Sequence, residues 1–187
     1  MGIRSKFMEK KASNTRKLAL TGVFGALIII LTLVHIPSPL GIGYVHIGDM
    51  AIYVACAFLP FPYAMISAGC GSAIADLIVE GGAIYAPITL VVKGLTALVV
   101  SLILRNRKLK IWQVILADFA GALIINFGYW GANMIFFGQT LTAIVSTLGF
   151  DLIQTAIGLP LGVLFTVIML SNKELRKFSY NCNKLEE

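Results

Sequence analysis

Long apolar runs, broken only by prolines, glycines and short basic clusters, leave this chain few folds to choose from. A membrane-spanning helix needs about 20 mostly apolar residues. Six stretches approach that length, at approximately residues 17–34, 48–61, 63–80, 87–104, 111–133 and 147–170. Pro37, Pro39, Gly41 and Gly43 end the first, Pro60 and Pro62 break the second from the third, and Gly81 and Gly82 with Pro87 separate the third from the fourth. The second is short, so its seam with the third is the weakest division. With 58% hydrophobic residues, 13% charged residues and a mean hydropathy of +0.87, too little polar material remains to clothe a water-facing surface. The expected fold is therefore an all-α integral membrane protein: one domain over residues 1–187, built as a six-transmembrane-helix bundle.

The net charge of +6 has a geometric meaning, because the basic residues sit at the two ends and in one short loop, Arg105 to Lys110. Lys and Arg in short loops are retained on the cytoplasmic side. Six spans starting inside place all three basic segments in the cytoplasm, with residues 1–16 and 171–187 as cytoplasmic tails and both termini inside. An odd number of spans would put one cluster on the wrong side. Only Lys93 is left over. Interleaving with hydrocarbon-compatible runs argues against a nucleic-acid partner and for anionic lipid headgroups. Cys56, Cys70 and Cys182 have neither metal nor redox spacing and read as small hydrophobes or free thiols. The basic start and apolar first run resemble a secretory signal, yet no small-x-small cleavage site follows, so the run is expected to be retained.

Ionisable groups in hydrocarbon need a partner, water or a function. Asp49 opens the second span, Asp76 and Glu80 close the third, and Lys93 lies about two turns inside the fourth, so all four converge near the outer face. Tyr85, Thr89 and Lys93 recur every fourth residue and share one helix side. Asn126, Trp130 and Asn133 form a second polar face on the fifth span, and Asp151 with Gln154 a third near the start of the sixth. Polar groups and an aromatic plate facing a common interior suit a small, flat, hydrogen-bonding ligand, with His46 and Tyr44 on a loop that could close over it. Plainer readings exist for each group: Lys93 neutralising Asp76 or Asp49, Asn126 and Asn133 as interhelical glue, His46 as an interfacial residue, Asp118 as a packing or partner contact. Convergence at one depth favours the ligand reading. Gly22 and Ala26 make a small-xxx-small face on the first span, where another backbone can approach. Ser67, Gly71 and Ala75 have that spacing too and suit internal packing.

The run Tyr44-Val45-His46-Ile47-Gly48-Asp49, then Gly71 to Leu77, then Tyr85 to Gly94, resembles the S components of energy-coupling factor (ECF) transporters, and the likeness extends from Arg16 to Leu170. Within that family the chain looks most like the branch associated with pyridoxine or hydroxymethylpyrimidine uptake. The resemblance implies a bundle in the bacterial cell membrane that binds its vitamin from outside and topples to release it. It also implies docking on a scaffold subunit and two ATPase subunits through a small-residue patch, matched here by Gly22 and Ala26. No Walker loop occurs, so ATP would be used by the partners and no cofactor is expected on this chain. A vitamin of another class (pantothenate, folate, thiamin, riboflavin or a queuosine precursor) is the alternative. A stand-alone secondary transporter would show an inverted repeat or broken helix. An intramembrane enzyme would show an HExxH or paired-Asp motif, and only two histidines are present, so neither catalytic nor metal-ligating residues are expected. In the expected site, Lys93, Asp49 and Asp76 neutralise one another when empty and Trp130 or Tyr85 stacks on the bound ring.

Overall fold

The computed structural model describes residues 2–37, 44–105, 108–182 and 184–186. Pro39, Gly41, Gly43, Asn106 and Arg107 lie outside the described residues, as does the side chain of Tyr44. The chain order is α1 (Gly2–Leu33), β1 (His35–Pro37), β2 (Tyr44–His46), α2 (Gly48–Phe58), α3 (Phe61–Ile78), α4 (Ala86–Ile103), β3 (Lys108–Lys110), α5 (Ile111–Phe137), α6 (Leu141–Ser171), α7 (Lys173–Arg176) and β4 (Lys184–Glu186). Strands β1 and β2 pair antiparallel, with His35 opposite His46, while β3 and β4 pair parallel.

Among the described residues, five helices are long and apolar enough to cross a membrane, over Ser13–Leu33, Phe61–Ile78, Ala86–Ile103, Ile111–Phe137 and Leu148–Ser171. Side chains such as Val23, Phe127, Ile135 and Phe136 are more than 60% exposed along them, a surface that only lipid would cover. Helix α1 begins at Gly2, well before the apolar run, because the Lys, Met, Glu and Ala residues that precede that run are strong helix formers and contain no proline. Helix α5 runs on to Phe137 and stops where Gly138 takes a left-handed φ of 60°.

The second apolar stretch differs from the other five. Helix α2 has eleven residues, a rise of about 16 Å, roughly half the hydrocarbon thickness of a bilayer. Pro60 explains the early end: the residue before a proline is steered out of the α region, and Leu59 is extended with ψ at 140°. All but Met50 of its residues are buried. Its first turn lies beside Lys93 and its last beside the carboxyl-terminal tail.

That tail closes the lower end of α2. The last four carbonyls of a helix lack intrahelical donors, and here each of those from Cys56 to Leu59 receives one. Asn181 Nδ2 donates to the carbonyls of Cys56 and Leu59 at 2.7 Å each, Ser179 Oγ to Ala57 at 2.7 Å, and the Tyr180 N–H to Phe58 at 2.9 Å. Arg16 donates to the Lys177 carbonyl at 2.7 Å and lies 4.5 Å over the Phe178 ring, while Lys17 faces Tyr180 at 5.2 Å. Together with the β3–β4 pairing, these contacts bring the three basic segments to one end of the bundle. The polar groups around Lys93 lie toward the other.

Close helix contacts explain several small residues. A Cβ on Gly71 would lie 3.0 Å from the Gly25 carbonyl, so α3 and α1 meet backbone to backbone there. Gly22, one turn earlier on α1, has open space around it and is exposed, as is Ala26.

Candidate functional site

Helix α2 begins at Gly48 with no side-chain cap from Ile47; instead the Gly48 N–H donates to His46 Nδ1 at 3.0 Å. That bond requires an unprotonated Nδ1. It agrees with the low proton affinity of His46, whose pKa is pushed down to about 4, chiefly by burial. Asp49 follows in the first turn. Its Oδ1 is ion-paired with Lys93, and its Oδ2 accepts from Gln154 Nε2 at 2.9 Å. Lys93 is 1% exposed and Asp49 5%, so the pair is held in the protein interior. Gln154 Oε1 accepts from the His46 N–H at 3.3 Å, tying β2, α2 and α6 into one network. Tyr129 packs against Lys93: the ammonium lies 5.5 Å from its ring centroid, and its hydroxyl is 2.8 Å from Thr89 Oγ1.

These groups border a cavity of about 120 Å³. Its wall takes Asp76 and Ser72 from α3, Thr89 and Lys93 from α4, Trp130 and Asn133 from α5, and Asp151, Gln154 and Phe150 from α6. Thr32 from α1, Val45 and His46 from β2 and Tyr85 at the start of α4 complete it. Tyr85 rests its ring on Phe137, centroids 5.0 Å apart. Trp130 is fixed by its Nε1 donating to Asp151 Oδ2 at 2.8 Å and by an edge contact with Phe127. At the wall, Thr32 Oγ1 and Asn133 Oδ1 are buried polar atoms with no hydrogen-bond partner among the described residues. Burying such an atom is costly unless something fills the gap.

Of the residues singled out in the sequence, His46, Asp76, Tyr85, Thr89, Lys93, Trp130, Asn133, Asp151 and Gln154 face this cavity. Asp49 stands just behind its wall, where it holds Lys93 and Gln154. Two residues do not belong there. Glu80 was expected to follow Asp76 at helical spacing, but α3 ends at Ile78 and Val79 is extended, so the phase breaks and Glu80 turns outward, exposed. Asn126 sits a turn deeper than Trp130 and donates to Thr155 Oγ1 at 2.9 Å, joining α5 to α6 below the cavity. Asp118 is fully buried, which excludes direct contact with a partner. Thr32, Val45, Ser72, Tyr129 and Phe150 were not singled out. Ser72 had a readable signal, one turn before Asp76; Tyr129 and Phe150 had none beyond standing next to Trp130 and Asp151.

A polar cavity inside a lipid-facing bundle of helices is a place to hold a solute. A model of the family described as ECF-type riboflavin transporter, S component, matches residues 12–171, most of the chain. The chain belongs to that family. S components are transporter subunits, so this is a multi-pass membrane protein whose family associates a small-molecule substrate with an ECF module of scaffold and ATPase subunits. A search of curated proteins gives no match.

Proposed function

We propose that this S component captures a small, single-ring, water-soluble vitamin or precursor, in the class of pyridoxine or hydroxymethylpyrimidine, and delivers it to a scaffold and two ATPase subunits. The observation that carries this reading is the cavity itself: polar side chains from six elements meet at the end of the bundle opposite the basic segments. If those basic segments are retained inside, as their Lys and Arg content favours, both termini are cytoplasmic and the cavity opens outward in the plasma membrane. Size favours the smallest heterocycles of the class, since the space of about 120 Å³ is below the roughly 150 Å³ of an enclosed cavity that takes up benzene, so even a substituted single ring extends toward the mouth. Trp130 and Tyr85 supply flat faces for stacking, and the exposed Gly22 and Ala26 on α1 offer the small-residue surface for docking.

The test is to purify the chain alone, identify any heterocycle that travels with it by mass spectrometry, and titrate the stripped protein calorimetrically with pyridoxine, hydroxymethylpyrimidine and riboflavin. Tight one-to-one binding of a single-ring compound is the expected result. Tight riboflavin binding with no single-ring binding would overturn the size argument.

A further inference from the structure

Beyond ring size, the wall carries information about charge. Three nitrogens at the cavity already give a hydrogen to a carboxylate of the protein: Lys93 Nζ and Gln154 Nε2 to Asp49, the second at 2.9 Å, and Trp130 Nε1 to Asp151 at 2.8 Å. Trp130 has a single N–H and nothing further to offer. Among the described residues, carboxylates at the cavity and its wall outnumber lysine and arginine side chains, Asp49, Asp76 and Asp151 against Lys93 alone. Asp76 and Asp151 both line the space, and Asn133 Oδ1 and Thr32 Oγ1 are buried there with no hydrogen-bond partner among the described residues. Thr32 is 2% exposed, so only an occupant of the cavity can reach its hydroxyl.

We infer that the ligand of this site is a neutral or cationic, donor-rich molecule, bearing hydroxyl, amino or ring N–H groups, and that forms carrying a phosphate or carboxylate are excluded. The inference rests on the vitamin-capture reading above and narrows its substrate class. An anion would compete with Asp49 for Lys93, weakening a buried ion pair, and would face Asp76 and Asp151 at close range. A hydroxyl or amino group instead donates to acceptors that otherwise stay unsatisfied. Vitamins that are carboxylates, such as pantothenate and folate, thereby fall outside the class, and phosphorylated forms of an accepted vitamin are rejected.

The experiment uses matched compounds on the purified full chain: pyridoxine, pyridoxamine, pyridoxine phosphate and pyridoxic acid, with riboflavin and its monophosphate as a second pair. The expected result is that the uncharged or amine member of a pair binds and its phosphate or carboxylate counterpart is weaker by at least about a hundredfold, the scale set by like charges at contact in a partly buried site. In Asp151→Asn that discrimination should shrink about tenfold or more, because one repelling carboxylate is gone. Equal or tighter binding of the phosphate or carboxylate overturns the charge inference and leaves vitamin capture standing. Failure of every member of both pairs to bind a folded, monodisperse sample overturns the capture reading and the inference with it.

Discussion

Asp49 and Asp118 are both buried aspartates on helices of the same bundle, and their surroundings are opposite. Asp49 is 5% exposed and gives one oxygen to Lys93 and the other to Gln154. Asp118 is 0% exposed, and neither of its oxygens has a hydrogen-bond partner among the described residues. One sits beside a cavity and the other is packed close to Gly162, with Asp118 Oδ2 only 3.1 Å from where a Cβ at that position would stand. Burial of a carboxyl is therefore not in itself a sign of a binding site. The sign is a carboxylate whose neighbours fix its charge and aim other polar groups at open space.

Breaking the Asp49 pair should have the largest effect. Asp49→Asn leaves the Lys93 ammonium buried without a counter-charge, a loss of about 3–5 kcal/mol for pairs of this kind, and should lower ligand affinity at least about a hundredfold by calorimetry. The double variant Asp49→Asn with Lys93→Met should regain thermal stability, since an apolar replacement of both partners is tolerated, without regaining affinity. Recovery of affinity would show the pair to be only structural.

Next comes the end of α2 remote from the site. Asn181→Ala uncovers two helix carbonyls and should cost about 2 kcal/mol of stability, read as a lower melting temperature in detergent. Affinity should fall far less than in Asp49→Asn. Asp118→Asn should do the reverse of both: replacing a carboxyl that has no partner should leave affinity within about threefold and raise the melting temperature slightly. A large affinity loss there would erase the distinction between the two aspartates.

The last effect concerns pH. His46 has its pKa lowered to about 4, so the folded chain keeps it neutral while the unfolded chain protonates below about 6.5. Its contribution to stability is complete above that value and is lost progressively as pH falls toward 4. The melting temperature of wild type should drop on moving from pH 7.5 to pH 5 by more than that of His46→Gln, and both should behave alike above pH 7.

Much of this was legible in the residues, for identifiable reasons. Thr89 and Lys93 follow a helical period whose start Pro87 marks in the first turn of α4, with Tyr85 one turn before Thr89 at the N-cap, so their common direction could be counted. Glu80 was misplaced because the end of α3 depends on backbone angles at Val79 that no pattern announces. The length of α2 was harder to read, since its apolar composition matches burial by protein as well as by lipid. The tail contacts were invisible: Asn181 and Cys56 are 125 residues apart, and nothing local in either marks the meeting. Thr32 and Tyr129 were hidden for a related reason, as single polar atoms within apolar helices whose facing direction only the assembled bundle decides.

Trp130 offers the most direct test of the central claim. The chain has two tryptophans, and Trp112 lies at the start of α5, 57% exposed and remote from the cavity. In Trp112→Phe, emission reports Trp130 alone. Titration with the ligand identified by mass spectrometry should then change that emission saturably, with a midpoint equal to the calorimetric dissociation constant. Calorimetric binding with Trp130 emission unchanged to saturation would place the ligand elsewhere and contradict the account.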